Sequence, residues 1–194
     1  MSGKIIIGVS GEIGAGKTSF VQCLEKFGIY PIYTDEIAHD VLGLKVVKEK
    51  LVKYFGKGIL KDSRIVSKEL ASRAFRNVKR WRELIKITHP WIVKRVLREI
   101  NNTENKYIGI DAPLLFESGL DEVCNYIVWI KASPEIRKKR MSKLSWQEAV
   151  KRSSYLIPSV LKEKLADFVV VNNEEKRRLM ENAQKIYFRI KSQQ

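Results

Sequence analysis

Directly after a β-branched apolar run at 4–10, the chain reads Gly11-Glu-Ile-Gly-Ala-Gly-Lys-Thr18, and residues 17–27 then carry apolar side chains at helical spacing up to Gly28. A strand, a glycine loop and a helix in that order leave few folds open. Gly11, Gly14 and Gly16 allow backbone conformations and close approaches that side chains would forbid, so N–H groups can wrap round phosphate oxygens. The following helix adds its positive N-terminal end. A nucleoside triphosphate is therefore expected on the loop. Lys17 would compensate charge on its β- and γ-phosphates, and the Thr18 hydroxyl would take one position on Mg²⁺. Glu12 is out of place in such an anion nest, and its side chain is expected to point to solvent.

Four more short apolar runs, at 30–33, 106–111, 126–131 and 167–171, read as strands of a parallel sheet covered on both faces. Between 35 and 103 the pattern is helix after helix, with breaks near Gly43, Gly56-Lys-Gly58, Asp62-Ser63 and His89-Pro90. A strongly basic helical stretch follows at 134–164, and a last amphipathic helix runs from about 174 to 191. The expected fold is α/β: a three-layer α/β/α P-loop NTPase fold with a parallel five-stranded sheet, interrupted by a helical insertion and a helical lid. Its nucleotide-binding core would comprise 1–35, 104–133 and 165–194, with the insertion at 36–103 and the lid at 134–164. The 194 residues suit one such domain.

With 37 Lys and Arg against 22 Asp and Glu, the formal charge is +15, spread over several segments and not confined to one tail. This charge suits nucleic acid, an acidic membrane surface or a polyphosphate substrate, or else a solvated lysine-rich surface. Cys23 and Cys124 lack the close pairing of metal or redox motifs and are expected as buried, reduced thiols. No apolar run reaches membrane-spanning length, so a cytoplasmic protein without membrane contact is expected.

A GTPase would need a guanine-reading Asn-Lys-x-Asp after a late strand, where this chain has Val171-Asn-Asn-Glu174. A motor would need further domains and a sensor apparatus. A small-molecule kinase remains, an enzyme that must close over both substrates to keep water from taking the phosphoryl group. Several strings then resemble one family. Tyr33-Thr-Asp-Glu-Ile-Ala-His39 resembles the Asp-Ala-Asp-x-x-Ala-His of the dephospho-coenzyme A kinases, and Thr88-His-Pro90 resembles their His-Pro helix start. Asp111-Ala-Pro-Leu-Leu-Phe-Glu-Ser-Gly-Leu120 is similar to their most distinctive segment. Ala132-Ser-Pro-Glu135 with Arg140, and Ala166-Asp167 with Asn172, match in order.

The resemblance implies transfer of the ATP γ-phosphate to the ribose 3′-hydroxyl of dephospho-CoA, with Mg²⁺. The implied ATP site is Gly11, Ile13, Gly14, Ala15, Gly16, Lys17, Thr18, Ser19 and Asn172, and the implied acceptor site is Asp35, His39, His89, Leu115 and Glu117. Asp35, Lys17 and Arg140 would be catalytic, and Thr18 with Asp111 would hold Mg²⁺ directly or through water. Bland readings stand beside several of these. Asp35 is also a good N-cap, Asp111 a plain strand-end residue, Asn172 a turn residue, His39 a surface residue, and His89-Pro90 a helix start. Trp81, Trp91, Trp129 and Trp146 are expected in core packing before any stacking on a ligand. The chain departs from the family pattern at Tyr33 for Asp, Ser67 for Arg, Arg137 for Gln and Leu156 for Gln; only Lys143 can stand in for a second lid Arg. A nucleoside monophosphate kinase or another small-molecule kinase is the alternative. A nucleic-acid-binding NTPase switch is favoured by charge alone, so nucleic acid is not the expected partner.

Overall fold

The computed structural model describes residues 3–141 and 145–193. In chain order the first elements are β1 (Ile5–Gly11), α1 (Lys17–Glu25), β2 (Tyr30–Tyr33), α2 (Thr34–Leu42), α3 (Lys45–Phe55), β3 (Leu60–Lys61), β4 (Arg64–Ile65), α4 (Ser67–Ala74) and α5 (Val78–Asn102). There follow β5 (Tyr107–Asp111), β6 (Tyr126–Lys131), α6 (Pro134–Arg140), α7 (Trp146–Ser153), α8 (Ser159–Leu165), β7 (Phe168–Val171) and α9 (Lys176–Lys191). The chain divides into two compact units, one made of Met1–Tyr33 with Glu99–Gln194, the other of Thr34–Arg98.

In the first unit five parallel strands pair in the order β2-β5-β1-β6-β7. Every residue of β1 is buried, as a central parallel strand covered on both faces requires. Strand alternation sends Ile5, Ile7 and Val9 to the same side as Val128, Ile130 and Val170. There they meet Phe20, Val21 and Leu24 of α1 and Leu179, Ala183, Ile186 and Ile190 of α9. On the opposite side Gly8 makes room for its neighbours: a Cβ there would lie 2.7 Å from Cys124 Sγ and 2.9 Å from Leu115 Cδ2. Trp129 also faces that side, where Lys162 of α8 stands 5.9 Å from its ring centroid. The sheet is thus a middle layer, as the strand pattern predicts. The strand order reverses at β1, so the ligand crevice of such a sheet opens at the C-terminal end of that strand.

Lys162 is an unusual core residue. Its Nζ lies 2.5 Å from Glu117 Oε1, with the two side chains 3% and 7% exposed. The Ile157 N–H donates to the same oxygen at 3.0 Å. Glu117 Oε2 and Trp129 Nε1 are buried beside this pair with no hydrogen-bond partner among the described residues.

The second unit packs Ile37, Val41, Val47, Leu51, Phe55, Ile59, Leu70 and Ala74, all buried, from α2, α3, the turn after α3, and α4. The break expected at Asp62-Ser63 is the two-residue turn of a hairpin, with Leu60 opposite Ile65 and Lys61 opposite Arg64. Both turn residues have positive φ, 48° and 59°, the conformation that lets a two-residue loop match strand twist. One break is not there. His89-Pro90 does not start a helix; Pro90 lies inside α5, which runs from Val78 to Asn102. The apolar stripe explains this, because Trp81, Ile87 and Thr88 before the proline and Ile92 and Val96 after it are all buried in one helical register. Cooperative burial on both sides outweighs the hydrogen bond that proline deletes.

Candidate active site

β1 ends at Gly11, opposite Ile130 of β6, and a Cβ at Gly11 would lie 2.1 Å from the Ile130 carbonyl oxygen. Only glycine lets the chain leave the sheet there with the two strands still paired. The loop closes on itself through Ala15 N–H donating to Glu12 O at 3.1 Å. Gly14 and Gly16 have φ of 79° and 97°, in the left-handed region that glycine adopts without strain. Gly16 is also the N-cap of α1 and supplies no capping side chain to the first turn of the helix. Ile13 and Ser19 flank this turn half-buried, and Ala15 is fully buried under it.

Lys17 Nζ curls back over the loop to Gly11 O at 3.3 Å and Glu12 O at 3.1 Å. Thr18 Oγ1 donates to Asp111 Oδ2 at 2.5 Å, and Asp111, at the end of β5, is buried. The structure therefore joins the two residues named for the metal. A hydroxyl and a carboxylate are hard oxygen donors and fit Mg²⁺, which takes few protein ligands and fills its shell with phosphate oxygens and water. No group of three or more His, Cys, Asp or Glu among the described residues is arranged to hold a metal.

Asn172 and Arg140 reach the loop from the other side. Asn172, just past β7, is buried; its Nδ2 donates to Ala15 O at 2.7 Å and sits where a Cβ on Gly16 would be, 2.5 Å away. One N–H of its amide is thus committed to the loop, which Asn172 braces from the sheet side. Arg140, the last residue of α6, donates through Nη1 to Asn172 O at 2.8 Å and through Nη2 to Glu174 O at 3.4 Å. Lys143, its possible companion, lies outside the described residues.

Glu12 corrects an expectation. Its side chain does not point to solvent: Oε1 lies 2.9 Å from Arg137 Nη1 and Oε2 accepts from Ala132 N–H at 3.4 Å. Arg137 Nε also donates to Ile13 O at 2.9 Å, and its guanidinium lies 5.1 Å from the Trp146 ring centroid. The two residues that stand out in the sequence, an acid in the loop and an arginine in place of glutamine, meet each other. Their opposite charges were the signal available beforehand; their distance in the chain hid the pairing.

The proposed acceptor residues are divided between the two units: Asp35, His39 and His89 belong to Thr34–Arg98, and Leu115 and Glu117 to the other. Asp35 and His39 are exposed on α2, four residues apart and so on one face, and Asp35 sits within the first turn, past the capping position. His89 is half-buried in α5, its Nδ1 3.5 Å from Thr88 Oγ1. Leu115 does not line a ligand site, because it is completely buried against Gly8 of β1. Glu117 is taken up by Lys162 and the Ile157 N–H, an arrangement that no local pattern announces. Tyr33, in the position of the family's first Asp, turns its hydroxyl to the Glu25 carboxylate. Trp81 and Trp129 are buried, as core packing predicts. Cys23 is buried and Cys124 half-buried, both as free thiols. Burial, with the nearby Asp121 charge adding to it, pushes the Cys124 thiol up to about 12.

The family model described as dephospho-CoA kinase matches residues 5–177. A dephospho-CoA kinase of Lactobacillus johnsonii is 33% identical over 178 residues, which cover 86% of this chain and 88% of that protein. Among solved structures, dephospho-CoA kinase from Campylobacter jejuni aligns with a TM-score of 0.69 at 28% identity over 95% of this chain and 96% of that one. Shikimate kinase from Acinetobacter baumannii aligns with a TM-score of 0.57 at 16% identity, over 98% and 95% of the two chains, a likeness of fold alone.

Proposed function

This chain belongs to the dephospho-CoA kinase family, and from that membership we propose that it transfers the γ-phosphate of ATP to the ribose 3′-hydroxyl of dephospho-CoA. The products are coenzyme A and ADP, so the reaction is the last step of coenzyme A biosynthesis. The observation that carries the reading is the assembled loop: a glycine N-cap with no capping side chain at the head of α1, Lys17 folded back over the loop, and Thr18 joined to Asp111.

In this reading the loop N–H groups and Lys17 hold the β- and γ-phosphates, and Lys17 stabilises charge that moves toward the leaving oxygen. Thr18 and Asp111 would hold Mg²⁺, which when bound would supply charge neutralisation at the phosphates. Asp35 accepts or orients the proton of the acceptor hydroxyl, a role its exposed place in the first turn of α2 leaves open to a ligand. Arg140 stabilises the transferring group, and Asn172 keeps the loop in shape. Thr34–Arg98 forms the acceptor-binding part with His39 and His89, while α6, α7 and α8 form the lid that excludes water. No described helix is long and apolar enough to cross a membrane; a cytoplasmic location is part of the proposal.

The test is a panel of second substrates. Purified protein with ATP and Mg²⁺ is given dephospho-CoA, AMP, CMP, UMP or RNA, and ADP release is followed. Rapid turnover with dephospho-CoA alone is expected. Turnover with a monophosphate and none with dephospho-CoA would overturn the assignment.

A further inference from the structure

A carboxylate beside a phosphate nest works against its ligand, because the triphosphate brings several negative charges to donors that are partial charges only. Glu12 is such a carboxylate, between Gly11 and the turn at Gly14. What it meets is a single arginine held at several points. Arg137 Nη1 is 2.9 Å from Glu12 Oε1, its Nε donates to Ile13 O at 2.9 Å, and Trp146 lies against its guanidinium. The side chains are 12% and 21% exposed, so this pair is screened far less than a surface ion pair. The helix that bears Arg137 also presses on the loop directly, since a Cβ at Gly14 would come 3.0 Å from Arg137 O.

We propose that Arg137 is a built-in countercharge for Glu12, and that the two act as one neutral unit that allows an acidic loop to bind a triphosphate. Arg137 is then a positioning residue: it acts on ATP through Glu12 and the loop. The inference rests on the reading of the loop as the ATP site. It separates from a purely mechanical clamp by sign. If the pair only tied α6 to the loop, removing Glu12 would also weaken binding, and it could not rescue the loss of Arg137, whose contacts with Ile13 and Trp146 would be missing in either background. If charge is the point, Arg137→Gln exposes the bound phosphates to an uncompensated carboxylate, whereas Glu12→Gln leaves an extra cation near them.

The experiment measures the dissociation constant of ATP·Mg²⁺ by calorimetry with acceptor absent, for wild type, Arg137→Gln, Glu12→Gln and the double variant. Arg137→Gln is expected to weaken binding about tenfold, equivalent to about 1.4 kcal/mol, with a deficit that shrinks as salt rises. Glu12→Gln is expected to bind as tightly as wild type or more tightly, and the double variant to return within about threefold of wild type. Arg137→Lys, which keeps the charge, guards against a folding defect in the glutamine variant and should stay near wild type. Weakened binding in Glu12→Gln, a double variant no better than Arg137→Gln, or an Arg137→Lys deficit as large as that of Arg137→Gln would overturn the proposal. A wild-type protein that binds no ATP would instead refute the loop assignment itself.

Discussion

Replacing Lys162 by Met should destabilise the protein severely while leaving the packing around Trp129 filled. The thioether side chain is close to the aliphatic stem of lysine in volume, so the loss of apolar contact is small. The electrostatic loss is not. Glu117 would keep only the Ile157 N–H at 3.0 Å, and its Oε2 already has no hydrogen-bond partner among the described residues. Because both side chains are almost fully buried, removing one leaves an uncompensated charge out of water, a change that costs about 3–5 kcal/mol. At about 2–4 °C per kcal/mol for a chain of this size, the midpoint of thermal unfolding falls by roughly 6–20 °C. Urea titrations followed by far-ultraviolet circular dichroism measure the free energies directly. Glu117→Gln strands the lysine and should cost a similar amount. The double variant should be more stable than either single one, since a buried pair replaced as a whole is often neutral. Single-variant losses under about 1 kcal/mol, or a double variant whose loss equals the sum of the two, would refute this account of the pair.

Three further outcomes are expected. Asp35→Asn should lower kcat by about 10²–10⁴-fold with the KM for ATP within about twofold; equal losses in kcat and ATP affinity would remove Asp35 from the proton-transfer role. Asp111→Asn preserves an acceptor for Thr18 but loses the charge, so half-maximal activity should need about 10–100-fold more Mg²⁺, and an unchanged magnesium titration would contradict the metal role. Cys124 titrates at about 12 when folded against an ordinary value of 9.0. Its contribution to stability is therefore whole below pH 9 and is lost as pH rises from about 9 to 12, because only the unfolded thiol ionises there. Cys124→Ala should flatten that part of the stability profile, and identical alkaline profiles for the two proteins would refute it.

Short-range chemistry accounts for what the sequence made legible. The strands at 30–33 and 126–131 stand where the apolar runs put them, and β1 and β5 each differ from the expected run only at its ends. The glycine loop was readable because its conformation is imposed residue by residue, by positive φ at Gly14 and Gly16 and by lack of space at Gly11. Pro90 misled because a local rule for helix starts competes with a stripe of buried side chains on both sides of it, and the stripe prevails. Leu115 misled because a string shared with a family mixes residues that hold the segment in place with residues that face the ligand. Glu12 with Arg137, Glu117 with Lys162, and Asn172 with Ala15 were hidden for one reason: each joins positions tens of residues or more apart. Periodicity carries no information on which charge finds which.

The order of β1 in the sheet has a consequence for how this protein comes off the ribosome. β1 lies between β5 and β6, so its first hydrogen-bonded neighbour begins at Tyr107 and its second at Tyr126. The loop that follows it is then propped by Ile130, Arg137, Arg140 and finally Asn172. During synthesis this strand, wholly buried in the finished sheet, must wait through about a hundred residues for a partner, exposed to pairing with other chains or to chaperone capture. The glycine loop at 11–18 is completed by Asn172, just past β7. On the proposed reading of the loop, a nascent chain can therefore begin to hold ATP only after β7 has been translated.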